Sequence, residues 1–410
     1  MTQVFVIRNG VTLKRFTQEY LIDLGITYNA NEVPTCNLTM SMAILPYLTR
    51  RCELRIEHCG ETILLKVNSS DCSIKNKTVA ITTEHIFAEW EDESVPVNVA
   101  IKGKTPKELL KMNDFKLVNH NWEIRYDDSD EQSDTLDYEF SRENKSEALN
   151  KMLSQTETLL KRFPRNEERT IEIGTFGERK NYRVPNVMSL DDISMEMDSS
   201  SIVNMVVPLS DKGDGGASAL TLRDSFVFHY GTVNEFPIVL TGNTINTQST
   251  NTGYLFPQYA PNNKDEYAVL DTYGIELEDG DIYEGTYSAN DLQPIQEEGK
   301  TLSNEDRLKA SYTLYKSAIR YLKNHRRQLR FTVRVPELPD NVDVLDKVKF
   351  NLLSTFPDIT STMTPYEKKI YEIDDWFYVT EIQMTAVTGG WNYTIQLAKD
   401  LAGVYGNGVN

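Results

Sequence analysis

Apolar and polar residues alternate with period two through most of the first 85 positions. Tyr20, Ile22, Leu24, Ile26 and Tyr28 keep strict step, as do Leu54, Ile56 and His58, then Ile63, Leu65 and Val67, then Val79 and Ile81. Successive side chains of a strand point to opposite faces, so this spacing predicts half-buried strands. The stretch CELRIEHCGETILLKV predicts a hairpin turning at Gly60. Short strands at this spacing imply a small barrel or sandwich.

The pattern changes after residue 100. TPKELLKM predicts a helix start, with Thr105 as N-cap, Pro106 at the first helical position and Glu108 completing a capping box. WEIRYDD and TLDYEFS read as strands around the acidic turn DDSDEQSD. A second helix is expected where Leu149, Met152, Leu153, Thr156, Leu160 and Phe163 share a face, with Pro164 stopping it. TIEIGTFGERKNYRV reads as a strand pair.

Strands return with ISMEMD and IVNMVVPL. The stretch 241–263, rich in Asn, Thr and Gly, has no period and reads as a loop or linker. A long helix is predicted over about 304–323, with Ser303 and Asp306 as a capping-box variant. Leu308, Tyr312, Tyr315, Ile319 and Leu322 form its apolar stripe. LRFTVRV, VDVLDKVKFNLL, FYVTEIQMTA and WNYTIQLA close the chain as strands, with Gly389 and Gly390 turning the last hairpin. No period of 20–50 residues marks a solenoid.

A chain of 410 residues is long enough for two to four domains. No run approaches the ~18 apolar residues of a membrane-spanning helix. The start, MTQVFVIRNG, lacks the features of a signal peptide, so folding in a cytosol is expected. The net charge of −18 argues against a DNA-reading role, yet acidic walls suit a conduit that DNA passes without sticking. Cys36, Cys52, Cys59 and Cys72 form no CxxC and are expected as buried thiols.

Candidate chemistry is sparse. HExxH, GxSxG and Walker A patterns are missing, and His58, His85, His120, His229 and His325 stand at no ligand spacing. DKGDGG fails the calcium-loop template, because Gly213 and Gly215 occupy ligand positions; it reads as a turn. No catalytic residue, metal site or cofactor is therefore expected. Residues 301–334 hold nine Lys/Arg against two Asp/Glu, a net of +7 in an acidic protein. This basic edge is either a surface docking on acidic partners or the solvated end of a helix. Tyr254, Tyr259, Tyr267, Tyr273, Tyr283 and Tyr287 are either core and interface anchors or a sugar-stacking surface.

The block SSSIVNMVVPLSDKGDGGASALTLRD, followed by TYGIELEDG, EDRLKASYTLYKSAIRYLK, LRFTVRV and VLDKVKF, resembles in order and spacing the tail-associated (Tal), or prophage endopeptidase tail, family of siphophages. That family is akin to the central baseplate hub of contractile-tailed phages. The resemblance runs from about residue 100 onward. One departure stands out: the family often has Leu-Gly-Asp where this chain has Val344-Leu345-Asp346.

The resemblance implies a β-rich α+β, multidomain hub architecture. A β-barrel domain would span 1–100, an α+β domain 101–195, a second barrel 196–240 with 330–410, and a helix-containing insertion 241–329. It implies a homotrimer whose two barrels per subunit make a pseudo-sixfold ring, placed in the virion at the tail tip. Partners would be a distal tail ring protein, tail tube and tape-measure proteins, and receptor-binding proteins, with DNA passing through unbound and no membrane insertion. The end at Asn410 leaves no room for the lytic domain of many relatives. If the insertion closes the tip, Gly242 and Gly253 are the candidate hinge, and Arg320, Lys323, Arg326 and Arg327 a candidate latch against a neighbouring subunit. The alternatives are a cell-wall hydrolase and a glycan-binding adhesin using 241–287.

Overall fold

The computed structural model describes residues 2–49, 52–95, 97–112, 122–126, 136–141, 143–184, 193–210, 258–259, 268–289, 304–351, 364 and 374–406. The first seven strands are β1 (Gln3–Arg8), β2 (Val11–Thr17), β3 (Leu21–Asn29), β4 (Thr35–Ser41), β5 (Glu53–His58), β6 (Glu61–Ser73) and β7 (Thr78–His85). β5 and β6 pair with His58 opposite Glu61, so Cys59 and Gly60 form a two-residue turn. Both have positive φ, 49° and 94°, which matches the twist of the flanking strands. Cys36 and Cys52 are buried, but Cys59, in this turn, and Cys72 are exposed, which corrects the expectation of four buried thiols.

The next segment comprises β8 (Val97–Lys104), α1 (Pro106–Lys111), β9 (Glu123–Tyr126), β10 (Leu136–Ser141), α2 (Lys145–Ser154), β11 (Leu160–Arg162), β12 (Thr170–Gly174) and β13 (Arg179–Arg183). The α1 capping box forms as expected: Glu108 N–H donates to Thr105 Oγ1 at 3.2 Å, and Thr105 N–H to Glu108 Oε2 at 2.9 Å. Asn144 and Glu147 build a second box on α2. The expected helix to Phe163 stops instead at Ser154. Thr156 turns back on Leu153 O with both its N–H and its hydroxyl, and the chain leaves as β11. Leu160 and Phe163 are buried all the same, in two different cores. β12 and β13 both exist but do not pair. β12 lies between β11 and β9, whereas β13 runs parallel to β20 (Lys347–Asn351).

The chain continues with β14 (Ile193–Asp198), β15 (Met205–Ser210), β16 (Gln258–Tyr259), β17 (Ala268–Leu270), α3 (Thr272–Leu277), β18 (Glu284–Ala289) and α4 (Asn304–Asn324). β16 places a short strand inside the stretch read as structureless. β19 (Gln328–Val335), β20, β21 (Asp374–Val387) and β22 (Gly390–Ala398) complete it. The last hairpin turns on Thr388 and Gly389, with Gly390 already paired to Val387.

Thirteen strands form one sheet, in the order β14-β19-β22-β21-β3-β4-β7-β6-β5-β1-β2, with β20 on β21 and β13 on β20. The join between the two ends of the chain is β3 on β21, Tyr28 opposite Ile382 and Ile26 opposite Met384. These residues and Leu24, Val333 and Ile395 belong to one buried core. Two barrel domains are expected; among the described residues no closed barrel is found, and the β3–β21 ladder joins the two β regions in one sheet. Residues 211–240, assigned to the second barrel, lie outside the described residues.

A second core packs α1 and α2 with Phe87, Trp90, Phe140 and Phe163. A third packs α4 on β15, β17 and β18 through Val206, Val269, Tyr287, Leu314, Ala318 and Leu322. Residues 313–318 of α4 are all buried, because the helix has neighbours on two sides. Ser317 Oγ donates to Ser154 O at 3.1 Å, tying α4 to the end of α2.

Candidate functional site

The end of α4 gathers the basic residues singled out in the sequence. They are largely covered. Arg320 is 3% exposed; its Nη1 donates to Leu159 O at 2.7 Å, and Nε and Nη2 to Tyr405 O at 3.1 and 2.9 Å. Lys323 Nζ pairs with Glu157 at 2.6 Å. Arg326 pairs with Asp271 and lies over the Tyr273 ring at 4.7 Å. Arg327 Nη2 pairs with Glu278 Oε2 at 2.6 Å. The expectation of an exposed basic edge is therefore corrected. These four side chains reach acids and carbonyls of their own chain, and they join α4 to three other pieces: residues 157–159, the α3 region and the 401–406 turn.

The sequence around Asp271 is shaped for this. Asp271 N–H donates to Asn204 O at 2.8 Å, which fixes the approach to α3. Asn204 in turn spans to the next strand, donating to Asp281 O and accepting from Tyr283 N–H at 2.7 Å. Gly274 faces the Asp271 carboxylate so closely that a Cβ there would stand 2.6 Å from Oδ2. Tyr287 is core, whereas Tyr273, under Arg326, and Tyr283 are both exposed, at 43% and 42%. Tyr254 and Tyr267 lie outside the described residues, as do Gly242, Gly253, DKGDGG and DDSDEQSD.

A second charged cluster, not singled out in the sequence, ties the middle segment to the large sheet. Arg165 is 4% exposed, and its Nη1 reaches Glu61 Oε1 at 3.1 Å while Nη2 donates to Pro339 O at 2.6 Å. Its backbone N–H donates to Asp343 Oδ1 at 3.0 Å. Arg162 bridges Glu172 at 2.5 Å and Asp346 at 2.7 Å. Burial pushes the carboxyls of Glu61, Asp343 and Asp346 above their ordinary range, and the nearby arginines pull them back. Two sequence signals foreshadow it: four cations in LKRFPRNEER and acids at three-residue spacing in DNVDVLD. About 180 intervening residues hide their pairing.

The space beside Glu61, His58 and Trp391 admits no water-sized molecule. Among the described residues, no three His, Cys, Asp or Glu side chains are grouped to hold a metal ion. Leu345 occupies the position where the resembled family often has glycine, and it takes the left-handed conformation a glycine would favour, φ 70°. Its side chain is fully buried and its N–H donates to Val379 O at 2.7 Å.

No protein-family model matches the chain, and no curated protein matches it in sequence. Its fold does match solved structures. The prophage tail protein gp18 of Listeria monocytogenes aligns over 97% of this chain and 94% of its own, at 10% identity and a TM-score of 0.56. The tail protein of Neisseria meningitidis aligns over 99% of both chains, at 11% identity and 0.54. The 43 kDa tail protein of prophage MuSo2 from Shewanella oneidensis aligns over 97% of this chain and 98% of its own, also at 11% and 0.54. The chain thus has a phage tail protein fold from end to end, in agreement with the resemblance read from its motifs.

Proposed function

We propose that the chain is a structural hub subunit of a phage tail baseplate, at the distal tip of a siphophage tail. The observation that carries this reading is the end-to-end match of its fold to three tail proteins. In this reading three copies close the tail tube, each supplying two related β regions to a pseudo-sixfold ring. They contact the distal tail ring, the tube and tape-measure proteins and the receptor-binding proteins. The net charge of −18 supports a channel wall that DNA crosses without adhering.

Opening is assigned to the 241–329 insertion, with Gly242 and Gly253 as its hinge and the α4 cations as a latch that also acts within each subunit. A structural role is favoured over hydrolysis because the solved structures that match the fold are tail proteins. The test is the mass of the full chain in solution, alone and with a distal tail ring protein. A trimer in either condition is expected; monomer in both sinks the ring. Clearing of host cell walls by the purified chain would replace the structural reading with a tail lysin.

A further inference from the structure

Between α2, the turn after β3, β11 and the 405–406 segment lies a cavity of about 630 Å³. That is far larger than one water and within the range of small-ligand pockets. Two of its lining side chains are buried cations, Lys161 at 4% exposure and Arg320 at 3%. Among the described residues neither forms an ion pair. Lys161 Nζ donates only to Asn150 Oδ1 and lies over the Phe87 ring at 5.7 Å. Arg320 is bound to two backbone carbonyls and no carboxylate.

An ammonium has three donors, so two of those on Lys161 lack an acceptor among the described residues. Buried charges are ordinarily paired, and neither of these two cations has a carboxylate in direct contact, although Glu32 and Glu147 also line the cavity. Burial lowers the Lys161 ammonium to about 8, with the Glu32 and Glu91 carboxylates opposing the fall, and the Arg320 guanidinium to about 10. The remaining cation in the lining, Lys151, is already paired with Glu143 at 2.9 Å.

We infer that this cavity is a binding site for a compact carboxylate, held by Lys161 and the positive field of Arg320. Single charge is favoured because most of the Arg320 fork is taken up by carbonyls, leaving one cation free. Glu32, Glu143 and Glu147 also line the cavity and oppose polyanions such as nucleic acid. The carboxylate can come from a small acid or from an acidic side chain of a second copy of this chain. The site does not depend on the hub reading.

The test is thermal melting of the full chain in sodium acetate against sodium chloride at matched ionic strength, for the wild type, Lys161→Met and Lys161→Gln. Acetate should raise the wild-type midpoint by roughly 2 °C or more. Both variants should lose that difference, and Lys161→Met should melt above the wild type in chloride. Should neither variant fold, calorimetric titration of the wild type with acetate decides, and no saturable heat overturns the site. Equal midpoints in the two salts, an acetate effect that survives in a folded variant, or an effect of phosphate without one of acetate also overturns it. A change in solution mass on Lys161→Met identifies the second copy as the source; unchanged mass with the acetate effect lost identifies a small acid.

Discussion

The guanidinium of Arg326 holds the carboxylate of Asp271 through two hydrogen bonds, Nε to Oδ2 at 2.6 Å and Nη2 to Oδ1 at 2.8 Å. Both side chains are mostly covered, at 16% and 8% exposure, so this is not a surface pair of little worth. Removing one partner leaves the other buried and unpaired. Arg326→Ala is expected to cost on the order of 2–4 kcal/mol in urea unfolding. Limited proteolysis should then cut first within 268–289. Arg326→Lys should recover only part of the loss, since an ammonium cannot reproduce the paired geometry. An Arg326→Ala chain with unchanged midpoint and digestion pattern would remove the latch from the proposal.

Leu345 sets two costs against each other. Its left-handed backbone disfavours any side chain, yet its own is fully buried. Leu345→Ala keeps the backbone strain and opens a cavity, whereas Leu345→Gly opens a slightly larger cavity and relieves the strain. The glycine variant should therefore be the more stable of the two, by about 1 kcal/mol, the reverse of the order in a helix or strand. Chemical denaturation of both variants decides it. An alanine variant as stable as the glycine one would mean the turn relaxes.

The four thiols should divide into two classes. Cys59 and Cys72 are exposed, while Cys36 and Cys52 are buried. Burial also pushes the Cys36 thiol up to about 12, which removes the reactive thiolate at neutral pH. A thiol reagent under native conditions should modify two cysteines quickly and the other two only after unfolding. Peptide mapping that finds Cys36 or Cys52 labelled first contradicts the burial.

How much of this was legible in the sequence follows from the range of each interaction. The alternation at Leu24, Ile26 and Tyr28 reports the faces of one strand, and the Thr105–Glu108 box closes within a single helical turn; both are local and both read correctly. The end of α2 is misread because Leu160 and Phe163 continue the helical spacing by coincidence, each being buried by a different core. The separation of β12 from β13 is invisible locally, since their partners β9 and β20 lie far away in opposite directions along the chain. The basic end of α4 is recognised, but its exposure is misjudged. Only the fold brings Asp271, Glu278 and Glu157 to it. Lys161 is one of the four cations of LKRFPRNEER, and nothing local sets it apart from the others; its burial becomes unusual only when the chain closes over it.

His85 should make the protein sensitive to acid. The ring is buried, 4% exposed, edge-on to Phe163 at 5.1 Å, and its Nδ1 accepts the Phe87 N–H at 3.3 Å. Burial lowers it from 6.5 to about 3, so the folded chain keeps it neutral while the unfolded chain protonates below 6.5. The unfolded state then binds more protons between those two values, and stability falls as pH is lowered through that window. The loss approaches on the order of 1 kcal/mol per pH unit below 6. His85→Asn keeps an acceptor for the Phe87 N–H and removes the titration. Urea midpoints measured from pH 7 to pH 4 should therefore fall more steeply for the wild type than for His85→Asn, with the difference growing toward pH 4. Parallel curves for the two proteins would show that His85 is protonated in the folded state and that the ring does not stay neutral in this core.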